Sequence, residues 1–387
     1  MKIPLTYNLR NLTVRKVTTV MTALGAALTV AVLVSVLALV QGLRTSFEVT
    51  GNPNRLLVLR KGATSELVSV ISRENFQDIL SREGIARDAS GRPLASLEMI
   101  TVVNIDLAGG KDMNVNLRGL TPIGWRMRED TTHLVAGRMF QPGRREIVVG
   151  KSIAGKSPQG HVGATMQFGG GTWTVVGIMD GGRSMSSSEI FADLNQVSSD
   201  YKRHDYLSSA LVQAAPGQMD ALARSITDDR RLNVLVQPER QYYAEQMTSA
   251  GPVQFMGTFV AIIMAVGSAF AAMNTMYAAV ARRSSEIGTL RVLGFTRASV
   301  LTSFLMESVL ISVIGGVIGC LLTLPLNNIE TGIGSFTTWS MLSFNFHVTP
   351  AIMIRGVLFA SIIGAIGGFL PARNAATREI VTALRAR

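Results

Sequence analysis

Apolar residues along this chain gather into four long runs, one near the start and three crowded into the last third. Residues 18–40, 252–280, 300–326 and 351–370 are each long and apolar enough to cross a hydrocarbon core of about 30 Å as a helix. The first run carries no charge and is longer than the apolar heart of a secretory signal. It ends in Val40-Gln41-Gly42-Leu43-Arg44, which offers no small-x-small cleavage site, so it reads as a retained span. Between the first and second runs lies a polar segment, 41–251. There, short β-rich runs predict strands at 56–59, 100–107, 115–117, 147–149, 173–179, 210–213 and 234–236. Helical periodicity predicts helices at 73–81, 194–201 and 219–228, and glycine clusters at 109–110, 169–171 and 181–182 mark turns. A polar, helix-compatible stretch at 239–249 runs into the second span. The fold class that follows is an α-helical membrane protein with four transmembrane helices (1+3). An extracytoplasmic α+β domain, in two lobes, is inserted between helices 1 and 2.

Charge sets the orientation. The segment 1–17 carries Lys2, Arg10, Arg15 and Lys16; the loop 281–299 carries Arg282, Arg283, Arg291 and Arg297; the tail 371–387 carries Arg373, Arg378, Arg385 and Arg387. The loop 327–350 has no lysine or arginine. The positive-inside rule therefore places both termini and 281–299 in the cytoplasm, and 41–251 and 327–350 outside. These three cytoplasmic segments hold twelve basic and two acidic residues and so supply +10 of the net +11. The basic balance is topology plus attraction to anionic lipid headgroups, and calls for no nucleic acid. Ile3, Leu5, Leu9, Leu12 and Val14, set among basic residues, suit an amphipathic helix on the inner leaflet. The single cysteine, Cys320, lies in a span, so the outer domain has no disulfide framework.

Catalytic chemistry finds little support. His133, His161, His204 and His347 are scattered without metal-ligand spacing, and no nucleophile motif occurs. Residues 150–157, Gly-Lys-Ser-Ile-Ala-Gly-Lys-Ser, match the phosphate-loop pattern letter for letter. However, Pro158, Gln159, Gly160, His161, Val162 and Gly163 follow, where the pattern needs a helix whose N-terminus holds the phosphates. We read the match as coincidence, with no cofactor bound by this chain.

Within the spans, Gly315 and Gly319, Ser312 and Gly316, and Gly364 and Gly368 are small residues four apart, which lets helix backbones approach closely. Glu307 is the charge inside the third span, and its expected role is a structural ion pair with Arg291 or Arg297. Asn274 is the main other polar group at depth. No relay of ionisable residues crosses the membrane, which argues against a proton-driven transporter.

These residues carry a family resemblance. Asn274 through Arg282-Arg283-Ser284-Ser285-Glu286-Ile287-Gly288-Thr289-Leu290-Arg291-Val292-Leu293-Gly294 resembles the cytoplasmic signature of MacB/FtsX-type ABC permeases, with Val292 where alanine is common. Pro371-Ala372-Arg373, Ala376 and Ala383-Leu384-Arg385 resemble that family's terminal pattern. Glu146-Ile147-Val148-Val149-Gly150, Val162-Gly163 and Thr174-Val175-Val176-Gly177-Ile178 resemble the core of the MacB-type periplasmic domain. The resemblance covers nearly the whole chain. It implies the permease subunit of an ABC transporter in the bacterial inner membrane, itself no enzyme, working as a homodimer. MacB carries an ATPase domain ahead of its first span, whereas about 17 residues precede it here. ATP and Mg would therefore be bound by a partner ATPase. The loop 281–299 would form the coupling helix, with Ile287, Leu290 and Leu293 as apolar contacts, Arg282, Arg283, Glu286 and Arg291 supplying register, and Gly294 closing the signature. Motion would pass to the outer domain through 44–50 and 239–249. Export of a periplasmic or membrane-derived substrate, with or without a periplasmic adaptor protein, is the leading expectation. FtsX-like regulation of a cell-wall hydrolase and lipoprotein release are the alternatives.

Overall fold

A computed structural model describes residues 16–246, 251–334 and 340–377. The amphipathic reading of the first 15 residues, the stretch 247–249, and Arg378, Ala383, Leu384, Arg385 and Arg387 lie outside them. The chain divides into two compact units. One comprises Met1–Gly42, Pro252–Ile329 and Phe346–Arg387; the other comprises Leu43–Gly251 and Glu330–Asn345.

The first unit is built from helices. α1 (Lys16–Thr50) enters it as far as Gly42. In the outer unit, short helices are α2 (Arg73–Leu80), α3 (Pro122–Arg126), α4 (Lys151–Ala154), α5 (Leu194–Asp200), α6 (Met219–Thr227) and α7 (Glu239–Gln246). The helical unit then resumes with α8 (Gly251–Arg282), α9 (Ser284–Val292), α10 (Arg297–Thr323) and α11 (Pro350–Thr377). Among the described residues four helices, α1, α8, α10 and α11, are long and apolar enough to cross a membrane.

Glycine decides how these helices meet. A Cβ on Gly315 would collide with the carbonyl of Ala23, and one on Gly319 with the carbonyl of Ala27. The pair four residues apart on α10 therefore accepts a pair four apart on α1. Gly316 turns to α11, where a Cβ would sit 2.7 Å from Cβ of Ala360. Gly364 and Gly368 on α11 face Ser312 and Ser308 in return, and the Ser308 hydroxyl donates to the Gly364 carbonyl at 2.8 Å. Lipid gives helices no hydrophobic drive to associate, so close backbone contact and buried hydroxyl bonds supply the adhesion.

The outer unit is a mixed sheet with helices packed on it. Its strands are β1 (Arg55–Arg60), β2 (Ile71–Ser72), β3 (Ala95–Leu107), β4 (Lys111–Leu120), β5 (His133–Gly137), β6 (Glu146–Gly150), β7 (Thr165–Phe168), β8 (Gly171–Asp180), β9 (Glu189–Asp193), β10 (Tyr206–Leu207), β11 (Ser209–Gln213) and β12 (Val234–Pro238). One hydrogen-bonded path runs β12-β1-β11-β3-β4-β9-β6-β8-β5, with β7 on β8. The path passes through β3, whose Ala95–Glu98 end pairs with β11 and whose Met99–Leu107 end pairs with β4. The long β3–β4 hairpin, paired from Met99–Gly119 to Leu107–Lys111, carries the path across the unit. Alternating burial along β3 and β8 fills the core with Val103, Ile105, Trp173 and Val175, and Phe168 stacks on Trp173 at 5.5 Å. Side-chain caps open the helices: Ser72 accepts from the Asn75 N–H at 3.0 Å, and Asp193 from the Gln196 N–H at 3.2 Å.

The loop expected at 327–350 is ordered where described. β13 (Glu330–Gly334) and β14 (Met341–Asn345) form a hairpin that belongs to the outer unit. Lys156 reaches both Glu330 (2.9 Å) and Ser343 (2.8 Å), and Ser188 exchanges two hydrogen bonds with Ser343.

Candidate functional site

The short helix α9 follows α8 after a break at Arg283. Ile287, 1% exposed, packs into a cluster with Met276, Val280, Val300, Phe304, Ala372 and Ala375. Arg283 is equally buried. Its guanidinium donates to Glu307 of α10 at 2.8 Å and lies 5.8 Å over the Phe304 ring. A buried ion pair is held by geometry and a charge-assisted bond, and here it fixes the turn between α8 and α9 to α10.

The outward side of α9 is different. Glu286, Thr289, Val292 and Leu293 are exposed, the last two at 62% and 64%. Leu290 is half-buried, and half-buried Arg291 donates to the carbonyl of Phe295 at 3.2 Å. The helix ends in a left-handed turn at Gly294, φ +91°. The Phe295 N–H reaches the Leu290 carbonyl at 3.1 Å, and the Gly294 N–H the Arg291 carbonyl at 3.2 Å. This is the paired closure that glycine makes possible at a helix C-terminus. Thr296 then caps α10, accepting from the Ser299 N–H at 3.2 Å. A rigid core, a sharp exit and an immediate restart hold Val292 and Leu293 at a fixed projecting tip.

Two expectations need correction. Ile287 and Arg283 were expected on the contact surface; both point into the bundle, because α9 needs an apolar anchor and Glu307 needs a counter-charge. Arg283 also takes the partnership expected of Arg291 or Arg297. Arg282, Glu286 and Gly294 stand at the surface. Asn274 lies on an exposed face of α8.

The outer unit contains a second arrangement that the sequence reading missed. Arg118 of β4 is buried and bonds Glu66 (3.0 Å), Glu98 of β3 (2.8 Å) and Glu189 of β9 (3.1 Å). Arg128 adds a two-pronged contact to Glu98 at 2.6 and 2.8 Å. Burial alone would raise the Glu98 carboxyl, but Arg128 and Arg118 outweigh it and hold it below the ordinary range. The first residue of α7, Glu239, accepts the Asn52 N–H at 2.9 Å, and Arg55 stands 3.7 Å away. Here burial wins over Arg128 and Arg55, and the carboxyl is raised. Tyr242 of α7 accepts the Glu66 N–H at 3.1 Å, while Tyr243 packs on Phe47 near the end of α1. A Cβ on Gly51 would meet the Arg240 backbone at 2.7 Å. The last turns of α1 and the whole of α7 are therefore pinned to one another and to the charged centre of the sheet. The available signal was Glu98 standing between Leu97 and Met99, and Arg118 next to Leu117, in strands of strong β pattern.

The phosphate-loop match folds otherwise. α4 has one turn, with Gly155 closing its C-terminus rather than opening a helix, and Lys151 and Lys156 are paired with Asp180 and Glu330. Among the described residues no group of three His, Cys, Asp or Glu side chains is placed to hold a metal ion.

Comparison with known proteins decides the family. Residues 19–229 match the MacB-like periplasmic core domain, more than half of the chain, and residues 258–380 match the FtsX-like permease C-terminal domain. The chain belongs to the MacB/FtsX-type permeases. Among curated relatives of this permease is the uncharacterized ABC transporter permease YknZ of Bacillus subtilis, 27% identical over 263 residues, covering 64% of this chain and 63% of that one. The macrolide export ATP-binding/permease protein MacB of Mannheimia succiniciproducens is 31% identical over 137 residues, 35% of this chain and 20% of that one. The permease thus spans less than two thirds of either relative's length. The extracellular domain of YknZ from Gram-positive bacteria superposes with a TM-score of 0.37 at 18% identity, covering 48% of this chain and 100% of that one.

Proposed function

We propose that this permease is the membrane subunit of an ATP-driven exporter of the MacB type. It spans the bacterial cytoplasmic membrane four times in a 1+3 arrangement, with both termini and α9 in the cytoplasm and the β-sheet unit outside. An ABC ATPase binds ATP and Mg and docks on the tip of α9, and two permeases pair to receive two ATPases. The observation carrying this reading is the construction of α9: anchored through Ile287 and the Arg283–Glu307 pair, it presents Val292 and Leu293 outward. An anchored helix passes a push from its tip into α8 and α10, whereas a loose loop absorbs it. α1 and the run from α7 into α8 connect the two units covalently, and the pinning around Glu239 and Tyr242 keeps their outer ends together. Tilting of the spans then moves the outer domain by hinge-type transmission. Relatives named for macrolide export favour an export role, with a periplasmic or membrane-derived substrate and an adaptor protein outside.

The test is co-purification from detergent with an ABC ATPase of the same genome. Each exposed apolar side chain buried in a partner contributes about 1.5–3 kcal/mol. Val292→Asp and Leu293→Asp should therefore each weaken ATPase capture by about tenfold or more. Undiminished capture by both variants would remove the docking tip from the account.

A further inference from the structure

Beside the buried Arg118 network of the outer unit lies a cavity of about 30 Å³. Its floor is built on one face of the sheet. Asn116 and Arg118 stand two residues apart on β4, and Glu189 of β9 lies opposite Asn116 in the parallel register. Glu66 completes the floor. Phe47 near the end of α1, Met185, and Tyr242 and Tyr243 of α7 supply walls. All of these residues belong to the outer unit.

The floor is rich in acceptors. All five N–H groups of Arg118 are spent: Nε on Glu189, Nη1 on Glu66 and Glu98, and Nη2 on Glu66 and Glu189. A carboxylate has about four acceptor positions. Among the described residues Glu189 fills two of them, and Glu66 three, counting the Ser209 hydroxyl at 2.7 Å. Asn116 is 5% exposed, and its Oδ1 is buried with no hydrogen-bond partner among the described residues. A buried acceptor left without a donor is costly, so this one calls for a donor from outside the chain. Charge points the same way. Glu66, Glu98 and Glu189 are faced by Arg118 and Arg128, one carboxylate more than guanidinium groups. Water would satisfy the amide and leave that surplus; a primary ammonium answers both, with three N–H donors and a positive charge. The walls suit a cation too: Tyr243 lies 5.2 Å from Tyr242 and 6.4 Å from Phe47 between ring centroids, and aromatic faces attract cations.

We infer that this cavity binds a primary alkylammonium group, borne by a lysine side chain or by a small free amine. Asn116 is its uncharged acceptor, and Glu66 and Glu189 supply the counter-charge. The inference stands on the outer unit alone and goes beyond the export reading. Because Phe47 and Tyr243 belong to the pinned ends of α1 and α7, an occupant braces that junction.

The test is calorimetric titration of the full-length permease in detergent, at fixed ionic strength and with detergent alone as the blank. The probes are pentylammonium chloride, pentanol as its uncharged counterpart, and Nα-acetyl-lysine N-methylamide as a lysine side chain. The expected result is saturable binding of pentylammonium and none of pentanol. Asn116→Leu should weaken pentylammonium binding by about tenfold or more, the effect of losing a hydrogen bond to a charged group. Met185→Trp, which fills the space from a half-buried wall outside the charged network, should abolish it. Thermal midpoints equal to the parent show that the variants fold, and the comparison of ammonium with alcohol needs no variant. Binding of the lysine amide as well supports a peptide source; binding of pentylammonium alone supports a free amine. Pentanol bound as tightly as pentylammonium would make the cavity an apolar cleft and overturn the inference. So would amine binding that both variants leave unchanged, and so would an absence of binding by either amine, which would leave the cavity to water.

Discussion

Removing one member of the Arg283–Glu307 pair should cost far more than removing both. Both side chains are buried, at 3% and 8% exposure, with 2.8 Å between them. Arg283→Met keeps much of the stem that lies over Phe304 and deletes the charge, leaving Glu307 with no counter-ion in the bundle. Stranding one charge of a buried pair costs about 3–5 kcal/mol, whereas an apolar replacement of both is near neutral, or stabilising by about 1–4 kcal/mol. The expected order of stability is therefore Arg283→Met and Glu307→Leu both well below wild type, with the double variant close to it. Thermal unfolding in detergent reads the order. Limited proteolysis reads its local consequence, because α9 released from its anchor should become cleavable after Arg282 and Arg291. A double-mutant cycle with a coupling of less than about 0.5 kcal/mol would show that the pair does not hold α9 and would refute the anchoring argument. If the pair also serves transmission, the double variant should bind an ATPase normally.

Other consequences follow from the same geometry. Gly319→Leu should drive α1 away from α10, since even a Cβ strikes the Ala27 carbonyl; a loss of at least about 1–3 kcal/mol is expected in detergent unfolding, and an unchanged midpoint would contradict the close packing. The outer unit should show two opposite pH responses, followed by the tryptophan fluorescence of the full-length protein. Glu98 is held below the ordinary glutamate value of 4.5, so the stability it brings is complete above that pH and is lost as pH falls beneath it; the deficit of Glu98→Gln should be largest at neutral pH and shrink below 4.5. Glu239 is raised above 4.5, so the native domain gains stability as pH falls through the raised value towards 4.5; Glu239→Gln should cost least at neutral pH and relatively more on acidification. Parallel profiles for the two variants would show that the carboxylates do not differ in environment.

The spans and most of the sheet were legible because they rest on local periodicity. The runs at 56–59, 173–179 and 234–236 fall inside β1, β8 and β12, and 73–81 overlaps α2 to within a residue. What escaped depends on distant partners. β9 is buried at every position, so Glu-Ile-Phe-Ala-Asp shows no alternation, and its pairing with β4 is parallel and more than 70 residues away. The hairpin of β13 and β14 is short, and bonds from Lys156 and Ser188 to Ser343 hold it to the outer unit. The segment 281–299 was singled out by its signature and folds as α9 with its flanking turns, but which of its residues face inward was not legible. Steps of three residues put Ile287 and Leu293 on one face on paper, whereas the Gly294 closure and the Arg283 anchor turn Ile287 inward and leave Val292 beside Leu293. Glu307 was recognised as an ion-pair member, and its partner was taken from nearer in sequence than the true one.

The central claim is that docking at the tip of α9, proposed to be cytoplasmic, moves the outer domain. The direct measurement is the environment of a fluorophore at a cysteine replacing exposed Tyr206 in the outer unit, in the Cys320→Ala background. The permease and its ATPase would be reconstituted in vesicles and ATP added on the cytoplasmic side. The account predicts an ATP-dependent change in the label that Leu293→Asp abolishes. A label that stays unchanged while the bound ATPase turns over ATP would contradict it.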